Sequence, residues 1–141
     1  EDFGRAVELA KSFGMEVGAF VCIGNYGETK EEIEQSIQLV CNLHIDKCQF
    51  TLVTPYPGSQ LYSFLKKKNL LLVDDWDRYS PYENEVFFET PELSKEEVLA
   101  SYRRAFRRFY LRPSYVAKSL VSINTYRNLP IILREIRQFL F

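Results

Sequence analysis

Cysteine is scarce in this sequence of 141 residues: it occurs at Cys22, Cys41 and Cys48 only. Three thiols so scattered exclude the disulfide framework of a small secreted domain and point to a reducing, cytoplasmic setting. Cys41, His44 and Cys48 form a C-x-x-H-x-x-x-C string. It offers three ligands where a structural zinc site needs four, and it crosses a helix-to-strand junction, so no metal site is read here. Each thiol is taken as a small buried hydrophobe, with Cys22 in a strand core. Apolar runs are short, and none approaches the roughly 18 residues of a membrane span. A signal-peptide pattern and an initiator Met are also missing, and the sequence opens inside a helical pattern. The chain is therefore expected to start mid-protein.

Net charge is −1, but the distribution is uneven. Up to Glu97 there are 9 basic and 18 acidic residues; from Val98 onward there are 9 basic residues, and Glu135 is the lone acid. Such asymmetry fits a basic tail packed on an acidic body of the same protein, and the rival reading is an anionic partner.

What is present is alternation. Asp2 to Phe13 reads as a helix with Phe3, Val7, Leu9, Ala10 and Phe13 as its apolar face, stopped by Gly14. Met15 to Ile23 reads as a buried strand, followed by the turn Gly24-Asn25-Tyr26-Gly27. Thr29 with Glu32 forms a capping box for a helix that runs to about His44, which is read as a helix-end residue. Lys47 to Val53 is a second strand, ended by Thr54-Pro55-Tyr56-Pro57-Gly58-Ser59. Ser59 caps a third helix through Leu61, Phe64 and Leu65 into three lysines. Strand centres about 30 residues apart match one βαβ crossover. Both strands are apolar on both faces, as in a covered parallel sheet.

Residues 70–90 show no period. Asp74, Asp75 and Asp77 read as a solvated loop rather than a Mg²⁺ site, and Val86-Phe87-Phe88 as a short strand. Ser94 with Glu97 is a second capping box. Its helix puts Val98, Leu99, Tyr102, Ala105, Phe106 and Phe109 on one face and Arg103, Arg104, Arg107 and Arg108 on the other. Packing of the aromatic face is preferred over an RNA platform, and no nucleic-acid partner is expected. Two more helices are expected near residues 114–123 and 130–140. The last carries Ile131, Ile132, Ile136 and Phe139 beside Arg134 and Arg137, a pattern compatible with peripheral membrane contact.

In parallel β/α folds ligands bind beyond the C-terminal ends of strands, where both unusual turns sit. The helix start at Thr29 is a candidate anion receptor, and Glu28 suits either a ligand or the helix dipole. A strand ending in G-N-Y-G-E-T, a helix, then a strand ending in T-P-Y-P-G-S resembles the last two βα units of the radical S-adenosylmethionine (radical SAM) partial barrel. Leu61-Tyr62, Asp75-Trp76, Leu93-Ser94-x-Glu96-Glu97 and Phe109-Tyr110-Leu111-Arg112-Pro113 extend the pattern. This longer pattern is similar to the cobalamin-dependent branch, which includes anaerobic porphyrin cyclases and methyltransferases. Tyr26 stands where that family usually has Pro, and Ser59 where it has Thr.

The resemblance implies an α/β fragment of a parallel partial TIM-type (β/α) barrel over residues 1–72 and a mainly helical C-terminal extension over 73–141. It implies SAM, a 4Fe-4S cluster whose CxxxCxxC ligands lie outside this chain, and cobalamin held by another domain. In the family these yield a 5′-deoxyadenosyl radical that attacks a small-molecule substrate. Gly24, Asn25, Tyr26 and Gly27 are placed near the SAM adenosine, with Thr54, Pro55 and Tyr56 on the neighbouring wall. No residue here is read as catalytic, and the fragment alone is expected to be inactive without its N-terminal partner segment. The alternatives are another β/α-barrel enzyme whose glycine turn binds phosphate, and a non-catalytic interaction module with a basic helical tail.

Overall fold

The computed structural model describes residues 2–73, 75, 78–79 and 85–121. Among the described residues the elements are, in order, α1 (Asp2–Ser12), β1 (Gly18–Ile23), α2 (Lys30–Asn42), β2 (Lys47–Leu52), α3 (Gln60–Lys67), α4 (Lys95–Tyr110) and α5 (Pro113–Val121). The expected helix near 130–140 lies outside the described residues, as do Asp74 and Asp77. No helix among the described residues is long and apolar enough to cross a membrane.

β1 and β2 form a two-stranded parallel sheet with Gly18 opposite Lys47 and Ile23 opposite Leu52. The α2 crossover joins them, since parallel neighbours need a connection long enough to return to the same end. Both capping boxes exist. The Thr29 side chain accepts the Glu32 N–H while the Glu32 carboxylate accepts the Thr29 N–H, and Ser94 with Glu97 repeats this at α4. Ser59 caps α3 by accepting the Tyr62 N–H at 3.1 Å.

One core lies between the sheet and the α2–α4 layer. Ala19 and Ile23 from β1 and Cys48 and Phe50 from β2 meet Ile33, Ile37 and Val40 of α2 and Val98, Tyr102, Ala105 and Phe109 of α4. Phe50 stacks edge-on to Phe106 at 5.2 Å and to Phe109 at 6.2 Å between ring centroids. A smaller core gathers Leu65, Val73, Phe87 and Phe88.

Several expectations need correction. The strands are shorter than read, and the described residues cover them on one face only: Phe20 is 78% exposed and Cys22 is exposed rather than in the core. Alternation with period 2 sends 18, 20 and 22 away from the helices, and apolar character cannot tell which face is covered. In α1 only Val7 is buried, and Phe3, Leu9 and Phe13 are exposed. The segment at Val86–Phe88 forms no strand, only an antiparallel bridge from Phe88 to Leu71. α2 ends at Asn42 with Leu43 as its C-cap, so His44 stands beyond the helix. One expectation is met here: Arg104 and Arg108 of α4 both pair with Glu34 of α2, as a basic segment packed on the acidic body would.

At the N-terminal ends of the strands, Asp46 ties three segments together. Its carboxylate accepts hydrogen bonds from Lys11 of α1, from Lys118 of α5 and, at 2.8 Å, from the Val17 N–H. Burial pushes this carboxyl up, but the bonds from Lys11, Lys118 and Val17 outweigh it and hold it well below the usual carboxylate range. A depressed folded-state pKa contributes stability above the unfolded value near pH 4, and that contribution is lost as pH falls through the folded value. Asp46→Asn is therefore expected to flatten the acid limb of an unfolding-midpoint-against-pH curve below about pH 4. An unchanged acid limb in the variant would place the effect elsewhere.

Candidate functional site

The two turns leave the sheet side by side, because Ile23 and Leu52 are in register and the Val53 N–H donates to Ile23 O at 3.1 Å. Gly24 is buried, whereas Asn25, Tyr26 and Gly27 are exposed. Tyr26 leans on Phe64 of α3, edge to face at 4.8 Å, which links the first turn to the helix after the second. Thr54 Oγ1 donates back to Leu52 O at 3.4 Å, Pro55 is buried, and Tyr56 is exposed at the surface. A narrow crevice runs from the first turn to the end of β2, lined by Ile23, Gly24, Asn25, Leu52 and Val53 and by Val86, Phe88, Thr90, Leu93 and Val98 of the extension. The extension therefore closes over the C-terminal ends of the strands.

The first turn is occupied by its own carboxylate. Glu28 folds back so that one oxygen accepts the N–H groups of Gly24 at 2.8 Å and Asn25 at 2.9 Å. The Thr29 N–H is taken by Glu32. Donors that a phosphate would need are engaged, and a negative charge already sits among them, which argues against an anion site here. Gly24 itself serves packing: it has φ +84°, and a Cβ there would lie 2.9 Å from Val98 Cγ1. The sequence showed Glu28 as a dipole partner; its reach back across the turn depends on backbone shape and had no sequence signal.

Below the turns, the sheet face turned away from the helices carries Phe20, Cys22, Gln49 and Thr51. Phe20, Cys22 and Gln49 are exposed and Thr51 half-buried, with Cys22 Sγ 3.5 Å from Thr51 Oγ1. This face offers an aromatic ring, a thiol, an amide and a hydroxyl within one short surface. The apolar character of both strand faces gives no signal for it in the sequence.

No group of three His, Cys, Asp or Glu side chains among the described residues could hold a metal ion. The thiols are dispersed. Cys22 lies on the open face, and burial pushes the Cys48 thiol up to about 12, with nearby Cys41 adding to the shift. A thiol so raised stays protonated and is a poor metal ligand. The residues described here do not fit an iron–sulfur cluster. The open face does suit a nucleoside, which asks for one apolar plane and a few hydrogen-bonding groups.

Among known proteins, the chain is similar to an uncharacterized methyltransferase of Pyrococcus horikoshii, with 36% identity over 136 residues, which cover 96% of this chain and 28% of that protein. It is similar to the bacteriochlorophyllide d C-8(2)-methyltransferase of Chlorobaculum tepidum, at 26% identity over 89% of this chain and 29% of the relative. It is also similar to the anaerobic magnesium-protoporphyrin IX monomethyl ester cyclase of Rubrivivax gelatinosus, at 26% identity over 79% of this chain and 20% of the relative. The chain thus spans less than a third of the length of the curated relatives it matches. No family model matches the chain. No solved structure matches it.

Proposed function

We propose that this chain is a section of a radical SAM enzyme of the cobalamin-associated branch, and that it forms part of the wall facing SAM and a small-molecule substrate. The observation that carries this reading is the uncovered sheet face of Phe20, Cys22, Gln49 and Thr51, directly below two turns at the C-terminal strand ends. That is where ligands bind in parallel β/α folds. Methyl transfer and cyclisation, the reactions named among the relatives, are both attached to this branch by the sequence resemblance, which supports the reading.

In this reading the two strands belong to a partial barrel whose interior is the open face. Phe20 offers its ring to the adenine plane, and Gln49 and Thr51 offer hydrogen bonds to the nucleoside. Asn25 and Tyr26 border the mouth on one side, with Thr54, Pro55 and Tyr56 on the other, while Glu28 and Gly24 hold the first turn in shape. SAM, a 4Fe-4S cluster and cobalamin would supply the radical and methyl chemistry, with the cluster and cobalamin held outside this chain. The residues of this chain bind, orient and exclude water. The partners are the rest of the same polypeptide and the substrate, in a cytoplasmic setting that keeps the thiols reduced.

The test is SAM affinity of the complete polypeptide, reconstituted anaerobically with iron and sulfide, by equilibrium dialysis. Thr51→Val and Gln49→Leu are each expected to weaken SAM binding about tenfold, the equivalent of one lost hydrogen bond. Inorganic phosphate is expected not to compete, and the chain of 141 residues alone is expected not to cleave SAM. Wild-type affinity in both variants would sink the assignment of this face. Phosphate competition would favour the phosphate-binding barrel.

A further inference from the structure

The first turn closes around a charge that its own hydrogen bonding does not require. One oxygen of Glu28 accepts the Gly24 and Asn25 N–H groups at 2.8 and 2.9 Å, and the Glu28 N–H donates to Asn25 O at 3.1 Å. A neutral acceptor could serve those two donors, as side-chain hydroxyls and amides do in other turns. What the carboxylate adds is a full negative charge. Glu28 is half-buried, and no described residue donates to its second oxygen. No lysine or arginine among the described residues pairs with it. The nearest cation in sequence, Lys30, is taken by Glu97 of α4, and the Glu32 carboxylate is engaged by the Thr29 N–H. Its bonds to Gly24 and Asn25 fix the Glu28 charge against the rim of the crevice that both of those residues line.

We infer that Glu28 is a specificity-determining residue of the proposed site: its unpaired charge favours the cationic sulfonium of SAM over the neutral thioether of S-adenosylhomocysteine. The inference rests on the SAM reading above and adds to it the group that tells fresh ligand from spent. Gly24 stands roughly 7 Å beyond Cys22 along β1, at about 3.3 Å per residue. A nucleoside seated on Phe20, Gln49 and Thr51 therefore has the turn at its border, with its sulfur about one Debye length or less from the carboxylate. A unit charge about 8 Å away, at an effective dielectric constant near 20, changes affinity about tenfold or more. The effect needs no contact, so Glu28 keeps its hold on the turn while it acts on the ligand. SAM and S-adenosylhomocysteine differ by one methyl group and that one charge, so the field of Glu28 separates them where shape does little. Methyl transfer and reductive cleavage, the two fates of SAM in this reading, both turn the sulfonium into a neutral thioether. The same preference therefore loosens the hold on spent ligand and eases its release.

The test is equilibrium dialysis of SAM and of S-adenosylhomocysteine, in parallel, against the complete polypeptide reconstituted with iron and sulfide. Glu28→Gln keeps a carbonyl oxygen for the Gly24 and Asn25 N–H groups and removes the charge. It is expected to weaken SAM binding about tenfold and to leave S-adenosylhomocysteine within about twofold of wild type. Glu28→Asp keeps the charge and shortens the reach to the two N–H groups. It is expected to weaken both ligands alike and to preserve the wild-type preference between them. Equal weakening of both ligands in Glu28→Gln would overturn the inference, because a residue that only shapes the turn acts on the nucleoside the two ligands share. Unchanged SAM affinity in Glu28→Gln, or a lost preference in Glu28→Asp, would overturn it as well. A wild-type protein that binds neither ligand sinks the SAM reading and this inference with it. One that binds both, with a ratio that Glu28→Gln leaves unmoved, sinks this inference alone.

Discussion

Gly24→Ala is expected to destabilise the chain by about 2–4 kcal/mol, one of the two largest single-residue effects foreseen here. Two costs coincide at this position. Gly24 has φ +84°, where an L side chain is strained, and its new Cβ would stand 2.9 Å from Val98 Cγ1 on α4. Neither neighbour can yield easily, since Val98 is buried in the main core and the Glu28 carboxylate pins the turn from the other side. Gly27→Ala is the control. Its φ is +79°, but a Cβ there meets nothing within 4 Å, so only the backbone strain of roughly 1–2 kcal/mol applies. Denaturant unfolding of the two variants separates steric from conformational cost. Adding Val98→Ala to Gly24→Ala should recover part of the loss, a coupling that double-mutant analysis measures directly. Equal costs at Gly24 and Gly27 would mean that the turn does not press on α4.

Arg112→Ala should cost about 3 kcal/mol or more, because one side chain closes the end of α2. Its guanidinium donates to Cys41 O at 3.0 Å, to Val40 O at 3.4 Å and to Ile45 O at 2.7 Å. The guanidinium lies 4.0 Å over the Phe109 ring, and its buried Nε has no hydrogen-bond partner among the described residues. The last carbonyls of a helix have no partner within it, and a cation there also meets the negative end of the dipole. Removing the side chain orphans carbonyls in a half-buried place and uncovers an aromatic ring. Arg112→Lys should recover less than half of the loss, since an ammonium cannot span several carbonyls with a planar fork. Thermal or denaturant midpoints of the three proteins decide this, and a fully stable lysine variant would mean that charge alone matters.

Both effects bear on how the chain divides its work. Arg112, Asp46 and the Tyr110–Cys48 contact gather toward the N-terminal ends of the strands, where they bind α4 and α5 to the sheet. The turns and the crevice lie at the C-terminal ends. In barrel-type folds the first end serves stability and the second serves ligands.

Much of the local structure was readable from residues alone. Thr29 with Glu32 and Ser94 with Glu97 announce helix starts because a capping box is made within four residues. Ile33, Ile37 and Val40 mark the buried face of α2 by spacing. The parallel pairing of β1 and β2 follows from the length of the crossover between them. Phe20 and Cys22, by contrast, are as apolar as Ala19 and Ile23, so no pattern says which pair is covered. The α1 stripe misled for the same reason: Phe3, Leu9 and Phe13 keep helical spacing whether or not anything packs on them. Glu28 on the turn, Arg112 on α2 and Tyr110 on Cys48 are contacts whose partners are set by backbone geometry or by chain more than 60 residues away.

By itself, then, the sequence determined the capped helix starts, the two parallel strands, their order and the position of two turns at the strand ends, because each of those rests on interactions within a few residues. The tertiary structure decided which sheet face the described helices cover, and that the glycine turn is filled by Glu28 instead of waiting for an anion. Those outcomes depend on what α4 and its neighbours cover, a matter of packing between distant segments.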